Sequence, residues 1–364
     1  MRAYLLVLVA AVTSFAQDAS PEKLIEVGHW KRARTLVERK LQETPDDANA
    51  TFLLSQIRAA FGDRTAPSDL AEKAVRLDGK VARYHRQLAE IQGLLAQRAN
   101  VFQQIGLARR FRKEIDTAIE QDPRDVQALR DLLEFYLRAP GIVGGDIKKA
   151  ESTAQQVAAL DQCEGFLAKA RIAEFRKDLG EAEGALRRGA EVCPSSYKTL
   201  TTAAEFLVAN HRDESKAEAL ANAALALDRD RVDAWSTLAT IYAGRAELHE
   251  LEALLAGAAE AVPDDPTPYY RAAERLITDG RDTARAERYL RTYLVQDAEG
   301  NQPTAADAHW KLGLALRVQG HEADAVREWR IAVQLDPESP AARELKRTRN
   351  GGSTSNTTRT GGGN

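Results

Sequence analysis

"WSTLATIYAGRAELHELEALLAGAAEAVP" runs from Trp235 to Pro263. Trp235, Leu238, Ala239 and Tyr242 are spaced three, one and three apart, which places them on one face of a helix. Leu255 and Ala258 repeat that spacing further on, and Pro263 closes the segment. A second stretch has the same order: Leu312, Gly313 and Leu316, then Gly320, Ala325, Trp329, Ala332 and Pro337. Each reads as two helices joined by a short turn, with small residues where the helices meet.

The second helix carries a phase through the rest of the chain. Ala33 precedes Pro45 by twelve residues, and Phe111 precedes Pro123, Ala182 precedes Pro194 and Ala325 precedes Pro337 by the same interval. Ala150 and Ala217 lead in the same way to Asp161-Gln162 and Asp228-Arg229. On these residues the chain resembles the tetratricopeptide repeat (TPR), whose period is about 34 residues. The resemblance implies an all-α fold, a right-handed α-solenoid of antiparallel helix pairs. No pair of this kind buries its apolar face alone, so the pairs must stack.

A truncated repeat is expected at 17–45. A solenoid of about eight units plus a capping helix is expected over 46–348, with units near 46–79, 80–123, 124–161, 162–194, 195–229, 230–263, 264–298 and 303–337. Residues 349–364 are mostly Gly, Ser, Thr and Asn and read as a disordered tail.

At the other end, Arg2 precedes an apolar run from Leu5 to Val12, then Ser14-Phe15-Ala16. That pattern predicts a signal peptide over 1–16, cleaved near Ala16, and hence export to a periplasmic or extracellular space. The apolar run is too short to span a bilayer, and no later segment is apolar enough, so no membrane span is expected in the mature chain. With 51 Lys and Arg against 54 Asp and Glu, interspersed, the net charge is −3, which gives no pull toward nucleic acid.

Catalytic and cofactor motifs are missing. The six histidines are scattered and lack metal-ligand spacing, so neither a metal nor a cofactor is expected. Ser20-x-x-Lys23 and Ser195-x-x-Lys198 lack the partner motifs of penicillin-binding enzymes. The Gly-rich segment at 141–145 is followed by no Gly-Lys-Ser/Thr.

The chain therefore reads as a non-catalytic scaffold for a protein or peptide partner. The alternative is an accessory subunit or helical platform of an envelope-assembly, polysaccharide-export or lytic enzyme complex.

Two surfaces are candidates for that partner. The first is the concave face made by first helices, where Arg83, Arg86, Glu90, Arg130, Glu134 and Arg171 fall. The second comes from two departures from the period. "APGIVGG", Ala139 to Gly145, lengthens the turn inside its unit by five residues, and the preceding unit is about ten residues long over 94–113. Exported bacterial TPR proteins with a lengthened Pro-Gly-Ile-Val-Gly-Gly turn are similar in this respect. The insertions bring Phe102 and Ile105, and Ile142 and Val143, beside Arg109, Arg110, Arg112 and Lys113. As turns of successive units they should be neighbours. Packing alone would make Ile142 and Val143 a brace; exposure would make them a binding patch.

Cys163 opens the first helix of its unit and Cys193 ends the second, so an antiparallel pair brings both to one edge. An oxidising compartment would join them. Thiol counting on denatured, unreduced protein should then find no reactive thiol, and two would contradict the bond.

Overall fold

Residues 19–63, 65–300 and 303–353 are described by the computed structural model. The expected leader at 1–16 and the tail from 354 onward lie outside them. Among the described residues there are nineteen α-helices, one 3-10 turn and no strand. No helix there is long and apolar enough to cross a membrane.

The helices fall in consecutive pairs. A short first pair is α1 (Pro21–Val27) with α2 (Trp30–Glu43). The next three are α3 (Ala48–Ala60) with α4 (Ala66–Leu77), α5 (Ala82–Ala96) with α6 (Val101–Gln121), and α7 (Val126–Arg138) with α8 (Ile147–Leu160). Then come α9 (Gln162–Phe175) with α10 (Leu179–Val192), α11 (Tyr197–Ala209) with α12 (Glu214–Leu227), and α13 (Val232–Arg245) with α14 (Leu248–Ala261). The last two are α15 (Thr267–Thr278) with α16 (Thr283–Tyr293), and α17 (Ala305–Val318) with α18 (Glu322–Leu335). Helix α19 (Ala341–Ser353) caps the stack, so residues 349–353, expected in the tail, are helical.

Alanine stands where the helices of a pair cross. Ala33, Ala74, Ala118, Ala150, Ala182, Ala217, Ala286 and Ala325 are all fully buried, each on a second helix. A methyl group there lets the backbones approach, while larger residues such as Leu238, Leu290 and Leu312 fill the gaps between pairs. The core is a chain of adjoining apolar clusters, as expected when each pair contacts its neighbours.

The recurrent aspartate between pairs has a specific task. At Asp78, Asp122, Asp161, Asp228 and Asp336 the carboxylate accepts a hydrogen bond from the backbone N–H two residues on, at 2.8–3.1 Å. This Asx turn ends one helix and sets the chain's direction into the next pair. It operates with or without the closing proline, which explains why Asp161 and Asp228 can stand in for one.

Cys163 and Cys193 are joined in a disulfide with Cα atoms 6.0 Å apart. It ties the start of α9 to the end of α10.

The stack returns on itself. The start of α2 meets the turns that flank α15 and α16, more than two hundred residues later. Lys31 N–H donates to Glu299 Oε1 at 2.6 Å. Its Nζ donates to the carbonyls of Asp264 and Asp297 at 2.6 and 2.8 Å. Arg32 pairs with Asp264 at 2.8 Å, and buried His29 lies 3.5 Å from the same carboxylate. Arg231 reaches Glu26 at 2.8 Å. The first pair thus docks on the turns of later pairs, and α17 to α19 continue past this seam.

The Glu299 carboxylate at the seam is almost wholly buried, so reversing its partner should be costly. Lys31→Glu is expected to weaken the seam by about 3–5 kcal/mol. Small-angle X-ray scattering should then show a larger radius of gyration with helix content unchanged. An unchanged radius would mean that the seam is not held by these charges.

Candidate functional site

The two lengthened segments lie side by side. Helix α6 has 21 residues against 14 for α8, and the excess lies at its start. That start is capped reciprocally: the Asn100 side chain accepts from Gln103 N–H at 3.1 Å, and the Gln103 side chain accepts from Asn100 N–H at 3.4 Å. The Pro-Gly-Ile-Val-Gly-Gly segment folds as a 3-10 turn over Gly141–Val143. Gly145 N–H donates to Pro140 O, and Asp146 N–H donates to Tyr136 O at 2.9 Å. A Cβ on Gly145 would lie 1.7 Å from Ala139 O, so only glycine fits there. Asp146 then caps α8 through Lys148 N–H and Lys149 N–H. The turn touches α6, so the two insertions are neighbours.

Between them lies a groove of about 410 Å³. Its floor is the Phe111–Phe135 pair, stacked at 5.1 Å with planes 4° apart. Gly93 in α5 leaves room for this: a Cβ there would stand 3.4 Å from the Phe111 ring. Leu94, Ala108 and Pro140 complete the apolar lining. A second cavity of about 640 Å³ lies across Leu94 and Gln97, lined by Ile91, Leu95 and Leu107 and carrying Arg98 and Arg110.

Apolar side chains on these segments stand in water. Phe102 is 88% exposed, Ile142 79%, Val101 68% and Leu94 44%. Ile105 and Val143 are half-buried. Ile142 therefore braces nothing.

The concave face behaves differently. Most of its charged residues bind one another across successive first helices. Arg86 pairs with Asp125 at 3.2 Å, and Arg130 with Glu164 at 3.1 Å. Arg171 forks onto Glu134 at 2.5 and 3.0 Å, and Arg138 meets the same carboxylate at 3.0 Å. Arg83 donates to Asn49 at 2.9 Å and lies over the Phe52 and Tyr84 rings. Leu137, Leu167 and Tyr270, also on first helices, are core residues.

Glu90 is the exception. Among the described residues it has no ion-pair partner, and beside it stands Asp131, which repeat position did not single out. Both line the groove. Asp131 takes one hydrogen bond from Gln127 at 2.8 Å, while its Oδ2 is buried without a partner. Burial and the nearby Glu90 charge push the Asp131 carboxyl up to about 7, against the pull of Arg86, Gln127 and Arg130. Burial raises Glu90 too, but that residue reaches water, where screening weakens the effect.

The groove lining contains no Ser, Cys, His or Lys. Two of the histidines brace helix pairs instead: His85 meets Glu114 at 2.7 Å, and His309 meets Glu328 at 2.6 Å. No group of acids, histidines and cysteines among the described residues could hold a metal ion.

Paired helices crossing on alanine and stacked in register are the geometry of tetratricopeptide repeats. The fold is TPR-like. No family model and no curated protein matches the chain. Solved structures do. TTC0263, a TPR protein of Thermus thermophilus, is 22% identical over 52% of this chain and 95% of its own, with a TM-score of 0.46. Yeast Tom70 is 14% identical over 91% of this chain and 80% of its own, with a TM-score of 0.47. A monomeric mutant of IFIT1 is 12% identical over 90% of this chain and 70% of its own, with a TM-score of 0.50. Identities this low bear on fold alone.

The raised Asp131 has a consequence for stability. The folded state holds its proton more tightly than the unfolded chain, so the associated stability is complete below the ordinary value of 3.8 and is lost as pH rises through about 7. Asp131→Asn keeps the shape without the charge. Denaturation at a series of pH values should show the variant gaining on the wild type from about pH 4 to 7, reaching on the order of 1–2 kcal/mol. A gap independent of pH would show that the carboxylate is fully solvated.

Proposed function

We propose that this chain is a non-catalytic scaffold of an extracytoplasmic compartment, holding a partner protein or peptide at the edge where the insertions meet. One observation carries the reading. The two insertions expose Phe102, Val101 and Ile142, and the groove between them is lined by exposed Leu94 and the Phe111–Phe135 pair. Such side chains lower the free energy when a partner covers them, at about 25 cal/mol per Å². The concave face is the weaker candidate, because its arginines and glutamates are engaged with each other.

The Cys163–Cys193 bond supports the compartment, since such bonds persist where the surroundings oxidise. The leader-like segment at 1–16 points the same way.

Phe102→Asp combined with Ile142→Asp tests the site. Both side chains are exposed, so each change should move stability by no more than about 0.5 kcal/mol. Crosslinking in the native envelope, read by quantitative mass spectrometry, should lose the partner that the wild type captures. Equal capture by a folded variant would move the site elsewhere.

A further inference from the structure

The chemistry of the partner can be taken further, resting on the reading of the groove as the docking site. We infer that the groove receives a segment that places a large apolar side chain over Phe111 and Phe135 and an adjacent lysine or arginine on Glu90 and Asp131.

Four guanidinium groups stand near the groove, and each is engaged. Arg86 is held by Asp125, Arg130 by Glu164, and both Arg138 and Arg171 by Glu134. What is left over is negative: Glu90, without an ion pair among the described residues, and Asp131, whose Oδ2 is buried and unbonded. Two carboxylates side by side in a half-dry wall repel each other and resist ionisation. A bound ammonium or guanidinium would remove both costs and give Oδ2 the donor it lacks. An acidic partner residue would deepen both.

The apolar half follows from the floor. Leu94, Ala108, Pro140 and the mostly buried Phe111 and Phe135 rings offer no hydrogen-bonding group, so a polar side chain would be stranded there. The exposed cations of the insertion do not oppose this arrangement. Arg98 and Arg110 line the neighbouring cavity, on the far side of Leu94 and Gln97.

Three synthetic peptides in one Gly/Ser host provide the test. The first carries a phenylalanine and an arginine one residue apart, the second replaces the arginine with glutamate, and the third replaces the phenylalanine with alanine. Fluorescence polarisation on the intact protein should rank the first about tenfold tighter than either of the others. Glu90→Gln with Asp131→Asn should abolish the preference for arginine over glutamate while the preference for phenylalanine over alanine persists.

The inference falls if the glutamate peptide binds as well as the arginine peptide, if the double variant still prefers arginine, or if none of the peptides binds at millimolar concentration. Selection for phenylalanine without selection for charge would overturn only the cation and leave the groove as a docking site. Failure of the insertion edge as the docking site would appear separately, as partner capture that survives Phe102→Asp with Ile142→Asp.

Discussion

Close approach at the alanine crossings is the constraint on which the rest of this molecule depends. Ala33, Ala74, Ala118, Ala150, Ala182, Ala217, Ala286 and Ala325 have no exposed surface, and a side chain that small lets packed helices approach closely. That distance fixes the groove into which the next pair packs, and hence the rotation from pair to pair. Small differences in rotation accumulate. At five junctions an Asx turn aims the next helix in the same way.

Much of this was legible in the sequence because the information is local. The twelve-residue interval marks the second helix. The insertions showed as interruptions of that interval, and so did their adjacency, since turns of neighbouring repeats share an edge. The cysteine pair was legible for the same reason, because Cys163 and Cys193 occupy opposite ends of one antiparallel pair.

The seam was not legible. Lys31 and Glu299 meet only after every intervening rotation has been summed, and no motif announces that sum. The groove was half legible. Phe102 and Ile142 were expected at the edge, but their exposure is a fact of packing, which the pattern could not decide between brace and patch. Asp131 lies on the same helix as Arg130 and Glu134, and nothing in its neighbours says that every nearby arginine is already engaged. Ion-pair partners are chosen by superhelical geometry, several steps removed from the residue order.

The seam also changes what kind of polymer this is. An open stack of repeats behaves as a one-dimensional chain whose terminal units have one neighbour each, so it melts from its ends like a fraying rope. Here the first unit has a second neighbour far along the chain, through Lys31, Arg32 and His29. The N-terminal end is anchored rather than free. Local opening then has no preferred starting point at the N-terminal side, which a clasp a few residues wide holds in place.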